Sequence, residues 1–199
     1  MRHIHAFEVT LVGLMVALGA LQGCHRKEAA ELAALKASME ATQLNLAKFD
    51  DLDFNVFSGQ KWDQLSKSHA QNIVVHWPDG HTTTGLEQHT RDLQGMFVWA
   101  PDTRITDHPI KVANGEWTAV SGVMQGTFTK PMPVADGKNI APTGKQFKIT
   151  MSTFGHWKNG VMDEEYLFWD NAALLEQMGI GTKPEGSYKD PDGMFTDDK

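Results

Sequence analysis

Cysteine is nearly absent: Cys24 is the only one in 199 residues, so no disulfide within the chain can staple the fold. Basic charge is also short. Eighteen Lys and Arg stand against 25 Asp and Glu, for a net charge of −7; this argues against nucleic acid as a partner, because a phosphate backbone requires a basic surface. There is no internal repeat, no glycine-rich phosphate loop and no HExxH metal motif. The apolar run from Val9 to Leu21 is too short for a comfortable transmembrane span. What remains is a chain long enough for one domain with appendages and a substantial core.

The N-terminal run has the character of a signal peptide over residues 1–23. Arg2 precedes it, and it ends in Leu21-Gln22-Gly23-Cys24. Leu-x-Gly-Cys resembles the bacterial lipobox, whose cysteine becomes the lipidated first residue of the mature protein. That resemblance implies a lipid on Cys24 and a place in the bacterial cell envelope. With His25 rather than Asp next, it implies the periplasmic side of the outer membrane if the cell is Gram-negative. Residues 24–41 then form a tether or helix, and 42–180 the folded domain. Residues 181–199, rich in Gly, Pro and Asp, read as a disordered tail.

Glu28 to Phe57 carries Leu32, Leu35, Met39, Leu46 and Phe49 at helical spacing, and Ser58-Gly59 breaks it. Asp50, Asp51 and Asp53 read as a solvated acidic face. Lys61 to His69 reads as a second helix with His69 at its C-terminus, and Asn72 to Trp77 as a short strand ended by Pro78-Asp79-Gly80. Leu86 to Trp99 is an amphipathic helix with His89 on its apolar stripe. Strands follow over Thr103 to Val112, interrupted at Pro109, and over Trp117 to Phe128; Lys130 to Lys145 is a proline-rich surface loop. Gln146 to Trp157 alternates two rows that both read as substantially buried. Lys158-Asn159-Gly160 turns the chain into a return strand, Val161 to Trp169. Asp170 caps a short helix that Gly179 closes. The order predicts an α+β fold, with a curved antiparallel sheet wrapped on the N-terminal helices.

Ala141-Pro142-Thr143-Gly144-Lys145, the aromatic strand, the Asn-Gly turn, the acidic return strand and Asp170 to Gly179 together resemble the end of a SnoaL-like polyketide cyclase, or ester cyclase, of the nuclear transport factor 2-like superfamily. The likeness spans roughly Phe49 to Gly179. It implies a cone-shaped α+β barrel and an aldol ring closure by acid and base side chains, with no cofactor and no metal. The family's acid/base aspartate and assisting histidine align here with Leu167 and Thr153, neither of which can exchange a proton near neutral pH.

If the chemistry has moved, Glu165 is the candidate. Two residues from Leu167 on a strand, it shares that face, and an apolar cavity would raise its pKa toward the range of a general base. Asp163 and Glu164 read as solvated charges, with Glu164 on the opposite face. His76, His81, His89 and Asp92 match no strong metal spacing and read as mouth or core residues rather than ligands. The expected pocket is lined by Thr153, Leu167, Met151, Trp169, His76, Trp99 and Met124, and its partner is an apolar small molecule such as a cyclic ester or ketone. The alternative is a noncatalytic lipoprotein whose cone holds such a molecule, or whose sheet mediates a homodimer.

Overall fold

A computed structural model describes residues 4–134 and 137–180, with side chains from residue 25 onward. The side chains of the expected signal peptide and of Cys24, and the expected C-terminal tail, lie outside the described residues. Among the described residues no helix is long and apolar enough to cross a membrane.

Helix α1 (Ile4–Asp51) runs without a break into one turn of π-helix, Leu52–Phe57. Its residues 25–41 are exposed, Leu32, Leu35 and Met39 included; close packing sets in at Asn45 and Phe49. A short 3₁₀ helix, Trp62–Lys67, leads into β1 (His69–His76). The helix expected over Lys61 to His69 is therefore shorter, and His69 opens a strand. The carbonyl of its neighbour Ser68 already accepts a hydrogen bond from the Met162 amide at 2.7 Å, so sheet pairing captures the segment before the helix can extend to His69.

Strand β2 (Thr82–Thr84) pairs back on β1, and α2 (Leu86–Trp99) follows, burying His89 and Phe97. β3 (Arg104–Ile105) and β4 (Ile110–Asn114) are separated around Pro109 and both pair with the long β5 (Trp117–Thr127). The proline-rich excursion carries a small hairpin, β6 (Met132–Pro133) and β7 (Asn139–Ile140). β8 (Gln146–Lys158) and β9 (Val161–Trp169) form the central hairpin, turned at Asn159 and Gly160, whose φ values of 53° and 79° suit a tight loop. α3 (Asn171–Met178) closes the fold. Asp170 caps it by accepting from the Ala173 amide at 2.9 Å, and Gly179 ends it in the left-handed conformation.

The seven-stranded sheet runs β2-β1-β9-β8-β5-β3, with β4 also on β5. All its pairings are antiparallel except β1 on β9, which is parallel. Only one row of β8 is buried: Phe147, Ile149, Met151, Thr153 and Trp157 face the core, while Lys148, Thr150 and Phe154 are exposed. The expectation that both faces are buried fails because the helices cover one side of the sheet and leave the other bare. The core gathers Phe49, Leu52, Val56, Leu65, Ile73, Val120, Met124, Trp157 and Met162; each large apolar side chain so buried contributes about 1.5–3 kcal/mol. Trp157 keeps its indole N–H satisfied by donating to Thr118 Oγ1 at 2.8 Å.

Candidate functional site

The concave face of the sheet and the helices over it enclose a pocket of about 560 Å³, its mouth included. Leu52 and Phe57 line it from the π-turn, Leu93 and Met96 from α2, Ile105 and Met124 from β3 and β5, and Met151 and Leu167 from the hairpin. Trp77 and Trp169 pack edge to face against each other beside them, with ring centroids 6.3 Å apart.

Against this apolar lining stands one polar corner. His69 from β1, His89 from α2 and Glu165 from β9 are 1%, 2% and 4% exposed. His89 Nε2 lies 3.3 Å and His69 Nε2 3.8 Å from Glu165 Oε2, contacts that fall short of hydrogen-bond geometry. Among the described residues, the buried side-chain polar atoms without a hydrogen-bond partner are His69 Nε2, His89 Nδ1, Asp92 Oδ2 and Glu165 Oε2. All four residues line this pocket. Orphaned buried polar atoms cost about 1–3 kcal/mol each, so their convergence marks a place prepared for a polar group from outside the chain.

The sheet irregularities aim these side chains. In β9 the pairing with β8 shifts between His156 and Trp157, which leaves Asp163 as the extra residue of a bulge. Met162 and Glu165 therefore both point inward, where strict alternation would separate them. Glu165 then sits beside Val75 on β1 and Gly155 on β8. Burial pushes the Glu165 carboxyl up, but the imidazoles of His69 and His89 outweigh it and hold it below its usual range. The expected upward shift is thus reversed by two neighbours that the sequence alone did not bring together. Burial pushes His89 the other way, down to about 4, against the pull of Glu165; at neutral pH the corner holds a carboxylate and a neutral His89 imidazole.

Met124, Met151, Thr153, Leu167 and Trp169 line the pocket, while Trp99 and His76 do not. Trp99 turns toward Phe128 and Phe147, because the last turn of α2 packs over the far end of β5 and β8. His76 falls on the outer row of β1, where it stacks on Tyr166 and meets Glu164 at 2.9 Å. Asp163 and Glu164 are half-buried rather than simply solvated: Asp163 lies 2.6 Å from His156 Nδ1, and Glu164 also accepts from Tyr166. Thr153 and Leu167 face each other directly across the hairpin.

Two residues of the inner layer were missed. His69 is buried like Ile73 and Val75, but Gln71 between them is exposed and the pairing with β9 shifts between His69 and Val74, so alternation along the strand did not announce it. His108 gave no local signal. It bridges Asp50 and Asp53, its two ring nitrogens 2.8 Å from each carboxylate, while Lys111 Nζ lies 2.7 Å from Asp50. The acidic cluster is therefore not a solvated face: Asp53 is buried and only Asp51 fits that reading.

The family model for SnoaL-like polyketide cyclases matches residues 52–178. No curated protein matches the chain in sequence. Among solved structures, IdmH of Streptomyces antibioticus, a proposed polyketide cyclase, superposes with a TM-score of 0.58 at 22% identity, over 68% of this chain and 98% of its own. A proposed SnoaL-like cyclase from Jannaschia sp. CCS1 gives 0.61 at 16% identity, over 71% and 95%. One from Xanthomonas campestris gives 0.59 at 16%, over 69% and 98%. At such identities these structures establish a common fold.

Proposed function

Since the chain belongs to the SnoaL-like polyketide cyclase family, we propose that its pocket binds an apolar small molecule bearing a ketone or ester, cyclic or ring-forming, and moves a proton on it with Glu165 as the base. The supporting observation is the orphaned Glu165 Oε2 beside neutral His89 inside an otherwise apolar pocket. A carboxylate held ionised there abstracts a proton α to the carbonyl, and the imidazole N–H of His89 polarises the carbonyl oxygen as charge develops on it. Met124, Met151 and Trp169 hold the apolar body, and the chemistry needs no cofactor.

The test is hydrogen–deuterium exchange at the α-carbons of small cyclic ketones, followed by NMR. Wild-type protein accelerates exchange and Glu165→Gln loses at least 10²-fold of that acceleration, the scale of positioned general-base catalysis; equal rates would refute the base.

A noncatalytic container is the second reading, favoured by Leu167 and Thr153 at the positions where the family pattern has its proton-transfer pair. It requires a retained ligand in native mass spectrometry and no exchange activity. In either case we propose that Cys24 carries a lipid and anchors the protein in a bacterial envelope. Cys24→Ser should move it from the membrane to the soluble fraction, and an unchanged distribution would rule the anchor out.

A further inference from the structure

We propose that His69, His89 and Glu165 form a binding site for one divalent transition-metal ion, zinc or a neighbour with the same taste for nitrogen and oxygen, and that a bound ion excludes Glu165 from proton transfer. This inference stands on the site's geometry and not on the acid/base reading.

The three side chains come from β1, α2 and β9, and one ligand atom of each lies within 4.8 Å of the others. Ligands at 2.0–2.1 Å around a tetrahedral ion stand about 3.3 Å apart. The His89 Nε2 to Glu165 Oε2 separation is 3.3 Å and His69 Nε2 is 3.8 Å from the same oxygen, so both imidazoles stand near ligand spacing from the carboxylate. Two imidazoles and a carboxylate without sulfur suit zinc, cobalt or ferrous iron. The pocket itself supplies the open fourth position.

The surroundings match a ligand site better than a set of core histidines. His69 Nδ1 lies 2.9 Å from Ser68 Oγ and 3.3 Å from the Leu65 carbonyl. With the proton on Nδ1, that N–H serves both oxygens and the Nε2 lone pair faces the carboxylate. With the proton on Nε2, Nδ1 and the carbonyl oppose lone pairs. The first arrangement is how a metal-binding histidine is held by its outer partners. Core histidines are ordinarily hydrogen-bonded, whereas here His69 Nε2 and Glu165 Oε2, two of the three proposed ligand atoms, have no partner. Asp92, one turn along α2 from His89, is steadied by Gln88 at 2.7 Å through one oxygen and presents the other, also unpartnered, to the pocket. It is placed to receive a hydrogen bond from a metal-bound water.

The probe is Zn²⁺ alone, added to full-length, chelator-treated protein and measured by equilibrium dialysis with elemental analysis and by thermal unfolding. One equivalent per chain is expected, with a rise in Tm that saturates with zinc. His69→Gln and His89→Gln should each weaken binding at least 100-fold, while a His25→Gln/His81→Gln control binds as wild type. Far-UV circular dichroism verifies that the variants are folded, and a metal-free melt gives each its own baseline. Absence of stoichiometric binding, or binding that survives His69→Gln/His89→Gln, would overturn the site. Ketone exchange in the same metal-free preparation keeps the two readings separable: zinc binding without exchange refutes the base and leaves the metal site, and exchange without zinc binding does the reverse.

Discussion

In a His108→Ala variant the buried Asp53 carboxylate loses the imidazole that lies 2.8 Å away. The His108 side chain is 1% exposed and that of Asp53 10%, so water does not readily replace the bond. Removing one partner of a buried pair costs about 3–5 kcal/mol. Asp50 is spared, because Lys111 still holds it at 2.7 Å. Asp53 also relieves part of the cost by taking a proton, since burial already pushes its carboxyl above the usual range. The expected loss is therefore near the low end, about 3 kcal/mol, or a fall in Tm of roughly 6–12 °C for a domain of this size. Urea unfolding followed by tryptophan fluorescence measures it directly. An Asp53→Leu/His108→Leu variant, which removes both polar partners, should recover at least half of the loss. A single-variant cost below about 1 kcal/mol, the range of exposed pairs, or a double variant no better than the single, would refute the buried clamp. The pH dependence has a fixed sign. Burial opposes charge on His108, but its bonds to Asp53 and Asp50 outweigh this and raise its pKa, so its contribution is complete below about 6.5 and lost as pH rises through the folded value. Asp50, which burial raises but Lys111 and His108 lower further, has a depressed pKa; its contribution is lost on the acid side. His108→Ala should flatten the alkaline arm of the stability profile.

Three further outcomes follow from local geometry. A Cβ at Gly155 would lie 2.4 Å from Met162 Sδ, so Gly155→Ala should cost about 1–3 kcal/mol in urea unfolding, and an unchanged midpoint would show that Met162 can move aside. Asp170→Ala removes the α3 cap and should cost about 1 kcal/mol; no change in Tm would mean that α3 is held by packing alone. Trp117, Phe154 and Phe168 are exposed on the outer face of the sheet, which we propose as the seat of a homodimer. Phe168→Lys should then lower the sedimentation coefficient to that of a monomer, and a wild-type protein already monomeric would dispose of the idea.

The fold was legible where local chemistry is strong. Asp170, Gly179 and the Asn159-Gly160 turn each announce their role through side-chain type and backbone freedom, and α2 through its apolar stripe. The inward direction of Glu165 was legible from strand parity with Leu167. Other features depend on neighbours far along the chain. That His69 opens a strand follows from its pairing with Met162, and the direction of the Glu165 shift follows from imidazoles 96 and 76 residues away. The Asp50–His108–Asp53 clamp joins α1 to a turn between two strands, so no window of sequence contains it. His76 was misplaced by one step of alternation, enough to move a side chain from the pocket to the outer face.

The most direct measurement is a crystal structure with a small cyclic ketone or ester soaked into the metal-free protein. The ring should lie against Met124, Met151 and Trp169, with its α-carbon within about 3.5 Å of Glu165 Oε2, near-attack distance, and its carbonyl oxygen within hydrogen-bond reach of His89. A ligand seated with its carbonyl toward the mouth and Glu165 untouched would contradict proton transfer by this residue.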